Sequence, residues 1–334
     1  MNRSAVCLSI LGVVFALCFV ASFMIGKFSI PPVELLRILF TRLTGGAQDW
    51  SPQIHAVIFH VRLPRVCAAV LVGAGLSAAG ASYQGLFNNP LVSPDVLGAS
   101  AGAAFGAALA IIRGASYAGV SLSAFVFGIA AVLAAALVSF RARANPTLAL
   151  VLAGIMFSSL FSSATSFLKL IADTTNQLPA ITYWLMGSLA GIRERDLLFA
   201  AVPVAAGLIV LFLFRWQLNL ITMGEDEARS LGVNTRLVRC MVTGGATLIT
   251  AACVSVSGMI GWVGLVVPHF ARMLAGFDNR TLLPASMLLG ASYLLMVDNA
   301  ARTLSTTEIP IGILTAFIGA PFFVYLILNR GNRG

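Results

Sequence analysis

Nine stretches of this chain contain no Asp, Glu, Lys or Arg: 4–26, 66–94, 96–112, 114–140, 144–168, 197–214, 240–271, 281–297 and 309–329. About 20 apolar residues cross the ~30 Å hydrocarbon core of a bilayer as a helix. Backbone groups in lipid must be satisfied within the chain, so helices are the default there. A membrane β-barrel would need alternating segments of about ten residues, and the chain has none. The run 240–271 is too long for one span and is interrupted by Gly258, Gly261, Gly264 and Pro268. Divided in two, it brings the expectation to about ten spanning helices in an all-α polytopic protein. Only 10% of residues are charged and 59% are hydrophobic, with mean hydropathy +0.94. A soluble domain carries about 25% charged residues, so lipid must solvate most of this surface.

The polar stretches 27–65, 88–95, 141–147, 173–196, 215–239, 272–281 and 302–308 read as loops. No long linker divides them, and residues 1–334 are read as one transmembrane domain. The apolar run after Arg3 is longer than a typical signal core and lacks a small-x-small site at its end. It is expected to be an uncleaved first span. The net charge is +9, but the basic residues lie between apolar runs, as membrane flanks facing anionic lipid do. They form no basic domain for nucleic acid. Cys7, Cys18, Cys67, Cys240 and Cys253 form no CxxC pair and read as small buried hydrophobes rather than metal ligands.

An internal repeat is visible at an offset of 178: Ser77-Ala78-Ala79-Gly80 with Pro90 against Ser255-Val256-Ser257-Gly258 with Pro268. The halves are expected at about 57–170 and 236–330. Five intervening helices would invert the second copy, as in many transporters. Chance similarity among small residues is the competing reading. With the N-terminus inside, inner loops hold 11 of the 21 Lys and Arg residues, a weaker bias than the positive-inside rule expects. Either the topology differs or some outer arginines are retained for a task.

No catalytic constellation is present. His55, His60 and His269 are far apart, HExxH and GxSxG are absent, and Gly26-Lys27 is followed by Phe28 rather than Ser or Thr of a phosphate loop. The chain is not expected to be an enzyme, to bind a cofactor or to hold a metal. If ATP drives it, another chain binds the nucleotide. Three polar segments remain. Arg62-Leu63-Pro64-Arg65 stands at a helix entrance, where snorkelling arginines are the plainer reading. Gly224-Glu225-Asp226-Glu227-Ala228-Arg229-Ser230-Leu231-Gly232 is the most charged stretch and reads as a short capped helix, a docking knob. Asp298-Asn299-Ala300-Ala301-Arg302 closes a helix.

Together these segments resemble the permease family of type II ABC importers for iron–siderophore complexes, haem and cobalamin. Arg62-Leu63-Pro64-Arg65 matches that family's RLPR. Gln84-Gly85-Leu86-Phe87-Asn88-Asn89-Pro90-Leu91 is similar to its Q-x-hydrophobic-x-x-N-P-L loop. Gly224-Glu225, Ala228-Arg229 and Leu231-Gly232 follow its G-E/D-x-x-A-x-x-L-G segment. Gly264-Leu265-Val266-Val267-Pro268-His269 resembles its GL-x-x-PH, and 308–323 matches its final signature nearly residue for residue. The likeness covers about residues 5 to 330.

The resemblance implies a homodimer, two ATPase subunits inside carrying ATP and Mg, and a solute-binding protein outside. It implies a bacterial or archaeal cytoplasmic membrane, the inner membrane in a Gram-negative cell. Arg62, Arg65 and Arg302 would face the binding protein. Gly224, Glu225, Ala228, Arg229 and Gly232 would couple to the ATPase. Asn88, Asn89, Pro90, Asn145 and Pro146 would form a cytoplasmic gate. The expected cargo is an iron chelate, a siderophore or haem, or a cobalamin-like molecule. Val92-Ser93-Pro94-Asp95 departs from the A-[DE]-P-x of many siderophore permeases and also resembles members carrying molybdate or tungstate. An ion-coupled secondary transporter is the rival from another class. Such proteins usually embed Asp, Glu or His in the membrane, and here only Asp95, Asp298 and Lys169 come near, at segment ends.

Overall fold

The computed structural model describes residues 3–26, 31, 33, 37–38, 41, 50–142 and 146–330. These residues form an all-helical bundle. Helix α1 spans Arg3–Met24. A helical turn at Pro52–His55 and a π-helical stretch at Ala56–Arg62 run without a break into α2, Leu63–Leu86. A 3₁₀ turn at Pro94–Leu97 leads to α3 (Ala99–Ile112), α4 (Tyr117–Arg141) and α5 (Pro146–Ile171). Then come α6 (Gln177–Leu185), α7 (Glu194–Met223) and the short α8 (Glu225–Ser230). The bundle closes with α9 (Thr235–Ser257), α10 (Val263–Ala275), α11 (Asn279–Thr303) and α12 (Ile311–Arg330). Seven described helices are long and apolar enough to cross a bilayer, and three shorter apolar helices, at Ala99–Ile112, Val263–Ala275 and Ile311–Tyr325, accompany them.

Several boundaries differ from the sequence expectation. The 240–271 run breaks at residues 258–262 alone, while Gly264 and Pro268 lie inside α10. A proline in a membrane helix is tolerated where neighbours re-satisfy the backbone. The presumed loop 173–196 contains α6, and α7 continues eight residues beyond Arg215 to Met223. Arg62 and Arg65 lie within a continuous helical run rather than at its entrance.

Side-chain size decides how the helices pack. In lipid there is little hydrophobic drive between helices, so close van der Waals approach of small residues dominates. Gly73 of α2 faces Gly290 of α11, and a Cβ on Gly73 would collide with the Gly290 carbonyl. Gly80 faces Gly264 of α10 in the same way. Helices α2, α9 and α11 are thereby drawn into the interior, while α1, α5 and α7 keep mostly exposed, lipid-compatible faces. The connection after α6 is held by backbone bonds to the end of α9 and the start of α12: Ser188 N donates to Ser257 O (2.7 Å), Ile311 N to Gly187 O (2.9 Å) and Gly312 N to Met186 O (3.1 Å). Non-helical backbone at such depth is tolerated because protein, not lipid, surrounds it.

Helix lengths run 24, 14, 25 and 26 residues for α2 to α5 and 23, 13, 25 and 20 for α9 to α12. The residue matches at offset 178 pair unlike backbones, however. Gly80 sits mid-helix, whereas Gly258 ends α9 at φ 67°. Pro90 lies in a turn and Pro268 inside a helix. Small residues serve helix contact at the first position and chain reversal at the second.

Candidate functional site

Two polar clusters lie at opposite ends of α2 and α11. The first gathers Arg62, Arg65 and Arg302 with Asp298 and Glu308. Arg65 donates from Nε to Asp298 Oδ1 (2.9 Å) and from Nη1 to both Glu308 oxygens (3.0 and 2.8 Å). Arg302 Nε is 3.2 Å from Asp298 Oδ2, close enough for charge pairing without hydrogen-bond alignment. Arg302 also donates to Ser22 O (3.2 Å) and to Asn299 Oδ1, while Arg62 donates to the Phe23 carbonyl. Asp298 is fully buried, and the three arginines are buried with it. The ends of α1 and α11, the start of α2 and the segment before α12 are therefore tied into one charge network.

The three arginines that motif likeness assigns to binding-protein docking thus lie buried in one cluster of this chain. Arg62 and Arg65 spend their donors inside the chain, and Arg302 reaches outward only as one wall of an open hollow with Gly26, Thr303, Leu304, Ser305 and Thr306. Asp298 and Glu308 were present in the sequence motifs but without an assigned role. The Asp298–Arg302 spacing of four, which puts both on one helix face, was the available signal.

The second cluster is α8. Gly224 (φ 141°) opens it, and a Cβ there would collide with the Glu227 carboxylate. At the other end Val233 N donates to Ala228 O (3.0 Å) and Gly232 N to Arg229 O (2.9 Å), with Gly232 at φ 82°. That paired 6→1 and 5→2 pattern is the Schellman closure, which favours glycine in the left-handed position. Glu225 receives Arg229 and Arg239 at 2.8 Å each and the Thr235 hydroxyl at 3.1 Å. Burial pushes the Glu225 carboxyl up, but Arg239, Thr235 and Arg229 outweigh it and hold it below the ordinary glutamate range. Arg239, the cross-helix half of this lock, was missed because it lies 14 residues from Glu225. Ala228 has 0% exposure and seats α8 on its own bundle.

The turn after α2 lies at the same end of the bundle as the close of α7, where Gly85 packs on Leu218. Asn88 adopts φ 46°, and Asn89 Oδ1 accepts from Leu91 N (2.9 Å), the short side-chain-to-backbone bond of an Asx turn. Asn88 and Asn89 are exposed, and Pro90 lies in the same turn. Pro146 is the first residue of α5; Asn145 lies outside the described residues. Nearby, Gln84 donates to Leu265 O (3.2 Å) and accepts from Arg272, joining α2 to α10. Among the described residues no group of His, Cys, Asp and Glu could hold a metal.

A helical bundle in which seven described helices are long and apolar enough to cross a bilayer, with a polar lock at one end and a capped knob at the other, defines a polytopic membrane protein. Comparison with known proteins makes the family explicit: the model of the FecCD transport family matches residues 14–329. The chain belongs to that family. It is 44% identical over 315 residues to the molybdate import system permease of Haemophilus influenzae, covering 94% of this chain and 93% of the relative. It is 41% identical over 273 residues to an iron chelatin transport permease of Helicobacter pylori, covering 82% of each. Among solved structures, a metal-chelate type ABC transporter in an inward-facing conformation superposes with TM-score 0.85 at 41% identity, covering 96% of this chain and 98% of that one.

Proposed function

We propose that this chain is the membrane-spanning subunit of an ATP-driven importer. It works as a dimer with a second copy, with two ATPase subunits inside and a solute-binding protein outside, in a bacterial or archaeal cytoplasmic membrane. ATP and Mg belong to the ATPase chains. The observation that carries this reading is α8: a glycine-bounded, charged, internally locked knob between two spanning helices, on a chain with no phosphate loop of its own. Energy must enter through a contact, and a rigid knob transmits a push better than a floppy loop. Gly224 and Gly232 set its shape, Glu225 locks it, and Arg229, Asp226 and Glu227 offer the charged outer face. The turn at Asn88, Asn89 and Pro90, with Pro146 near the dimer axis, serves as the inner gate. The outer hollow beside Arg302 is where the binding protein settles, with Arg62 and Arg65 bracing it from beneath.

For the cargo, a molybdate-type oxyanion is supported by the 44% identical relative and by Val92-Ser93-Pro94-Asp95 in the loop after α2. The second reading, an iron chelate such as a siderophore or haem, is supported by the iron chelatin relative and by the metal-chelate type structure. An ion-coupled mechanism fits poorly, because the buried carboxylate of Asp298 is engaged by Arg65 and Arg302 rather than available for a coupling ion. The test is reconstitution with the ATPase that copurifies, followed by uptake of radiolabelled molybdate, ferric siderophore and haem. ATP-dependent uptake of one of them supports the importer and assigns the cargo. Uptake driven by an ion gradient without an ATPase would overturn the class.

A further inference from the structure

Between α4 and α9, beside α8, lies a cavity of about 550 Å³, within the ~300–1,000 Å³ that bound small molecules occupy. Its lining changes character along α9. Arg236 and Arg239 stand at the first turns, Thr243 follows, and Gly244 and Leu248 lie deeper. At about 1.5 Å per residue, Thr243 is ~6 Å further into the bundle than Arg239, and Leu248 is ~18 Å beyond Arg236. Helix α4 supplies an apolar wall through Leu133, Ala136 and Phe140.

Three details show a site rather than a gap. Thr243 lines the cavity and is 7% exposed, and its buried hydroxyl has no hydrogen-bond partner among the described residues. Arg236 lies 5.6 Å over the Phe140 ring and makes no ion pair with a carboxylate among the described residues, while Arg229 and Arg239 share Glu225. The mouth therefore carries an excess of positive charge. Gly244 leaves an open floor: a Cβ there would have no atom within 4 Å.

We propose that this cavity binds one anionic phospholipid of the inner leaflet. The order of the wall, guanidinium, then hydroxyl, then hydrocarbon, is the order of such a lipid read from its surface inward. Its phosphate meets Arg236 and Arg239, its ester oxygens accept from Thr243, and one acyl chain lies between Leu248 and Leu133. Juxtamembrane arginines attract anionic headgroups, and Leu133 and Phe140 of α4, which line the slot, are exposed apolar side chains. A free anion would leave the apolar walls unfilled. The site stands whether or not α8 meets an ATPase.

The test uses the full-length protein in phosphatidylcholine vesicles doped with spin-labelled phosphatidylglycerol or spin-labelled phosphatidylcholine. Wild type is expected to hold the anionic label several-fold more than the zwitterionic one. Arg236→Gln removes a phosphate ligand, and Gly244→Leu fills the slot without a clash; both are expected to abolish the preference. Arg280→Gln, an exposed arginine that does not line the cavity, is expected to keep it. A preference retained in both cavity variants overturns the proposal. Displacement of the lipid label by millimolar inorganic phosphate would assign an anion site instead. A cysteine at Gly244→Cys that crosslinks to a second copy or to another chain would make the cavity a protein interface, and would overturn it too.

Discussion

Arg65 ties together helices that lie far apart in the sequence. It bridges a fully buried carboxylate on α11 to Glu308 before α12, across 233 and 243 positions of sequence. Taking charges out of water is costly, and removing one partner of a buried pair typically costs about 3–5 kcal/mol because the other charge is stranded. Arg65→Ala leaves Asp298 with only the poorly aligned Arg302. Its thermal unfolding in detergent should shift down clearly relative to wild type. Glu308→Gln should cost much less, since the Glu308 side chain keeps 29% of its surface and stays hydrated. Equal stability of Arg65→Ala and wild type would mean the network is ornamental.

At the scale of elements, the lock on α8 makes a pH prediction. The folded pKa of Glu225 lies below its ordinary value, so its stabilisation is present above the usual glutamate range and is lost as pH falls through the lowered folded value. Protection of the amides across 225–232, taken relative to the intrinsic exchange rate at each pH, should be high at neutral pH and fall as pH drops below the ordinary glutamate range. Glu225→Gln should exchange faster at neutral pH and lose that acid response. An acid response unchanged by Glu225→Gln would place the lock elsewhere. Since Glu225 is about a third exposed, each pair contributes only ~0.2–1 kcal/mol, and the effect is local. The capped knob was legible in the sequence because glycine spacing and charge are local signals. The spanning helices were legible for the same reason, from uncharged runs. Arg65–Asp298, Glu225–Arg239 and the inward face of Ala228 were not, because each depends on which distant helix packs alongside. Motif likeness marked those arginines and that alanine for contacts with partners, and their burial adds a role within the chain that the motif does not convey.

The whole molecule adds a constraint that no single element carries. An importer chain must offer a pathway, and the close small-residue contacts inside this bundle, such as Gly73–Gly290 and Gly80–Gly264, fit the proposed route between two copies. Helix α5 keeps Met156, Leu160, Phe167 and Leu170 exposed, and α12 keeps Phe317, Val324 and Leu328, faces suited to a dimer partner or lipid. Closing such a pathway inside requires a polar, non-helical segment that can meet its mate. The Asn88–Asn89–Pro90 turn has that form: Asn89 is exposed, its backbone is out of the helix, and its side chain already folds onto Leu91 N to fix the turn. A cysteine at Asn89→Cys should therefore crosslink to its counterpart in membranes containing the assembled importer. The yield should change between nucleotide-free and ATP-bound states, because α8 and this turn share the inner face. A cysteine at exposed Leu198 on α7, remote from that turn, should not crosslink in either state. Crosslinking at Leu198→Cys but never at Asn89→Cys would move the dimer axis to the other side of the bundle and take the gate with it.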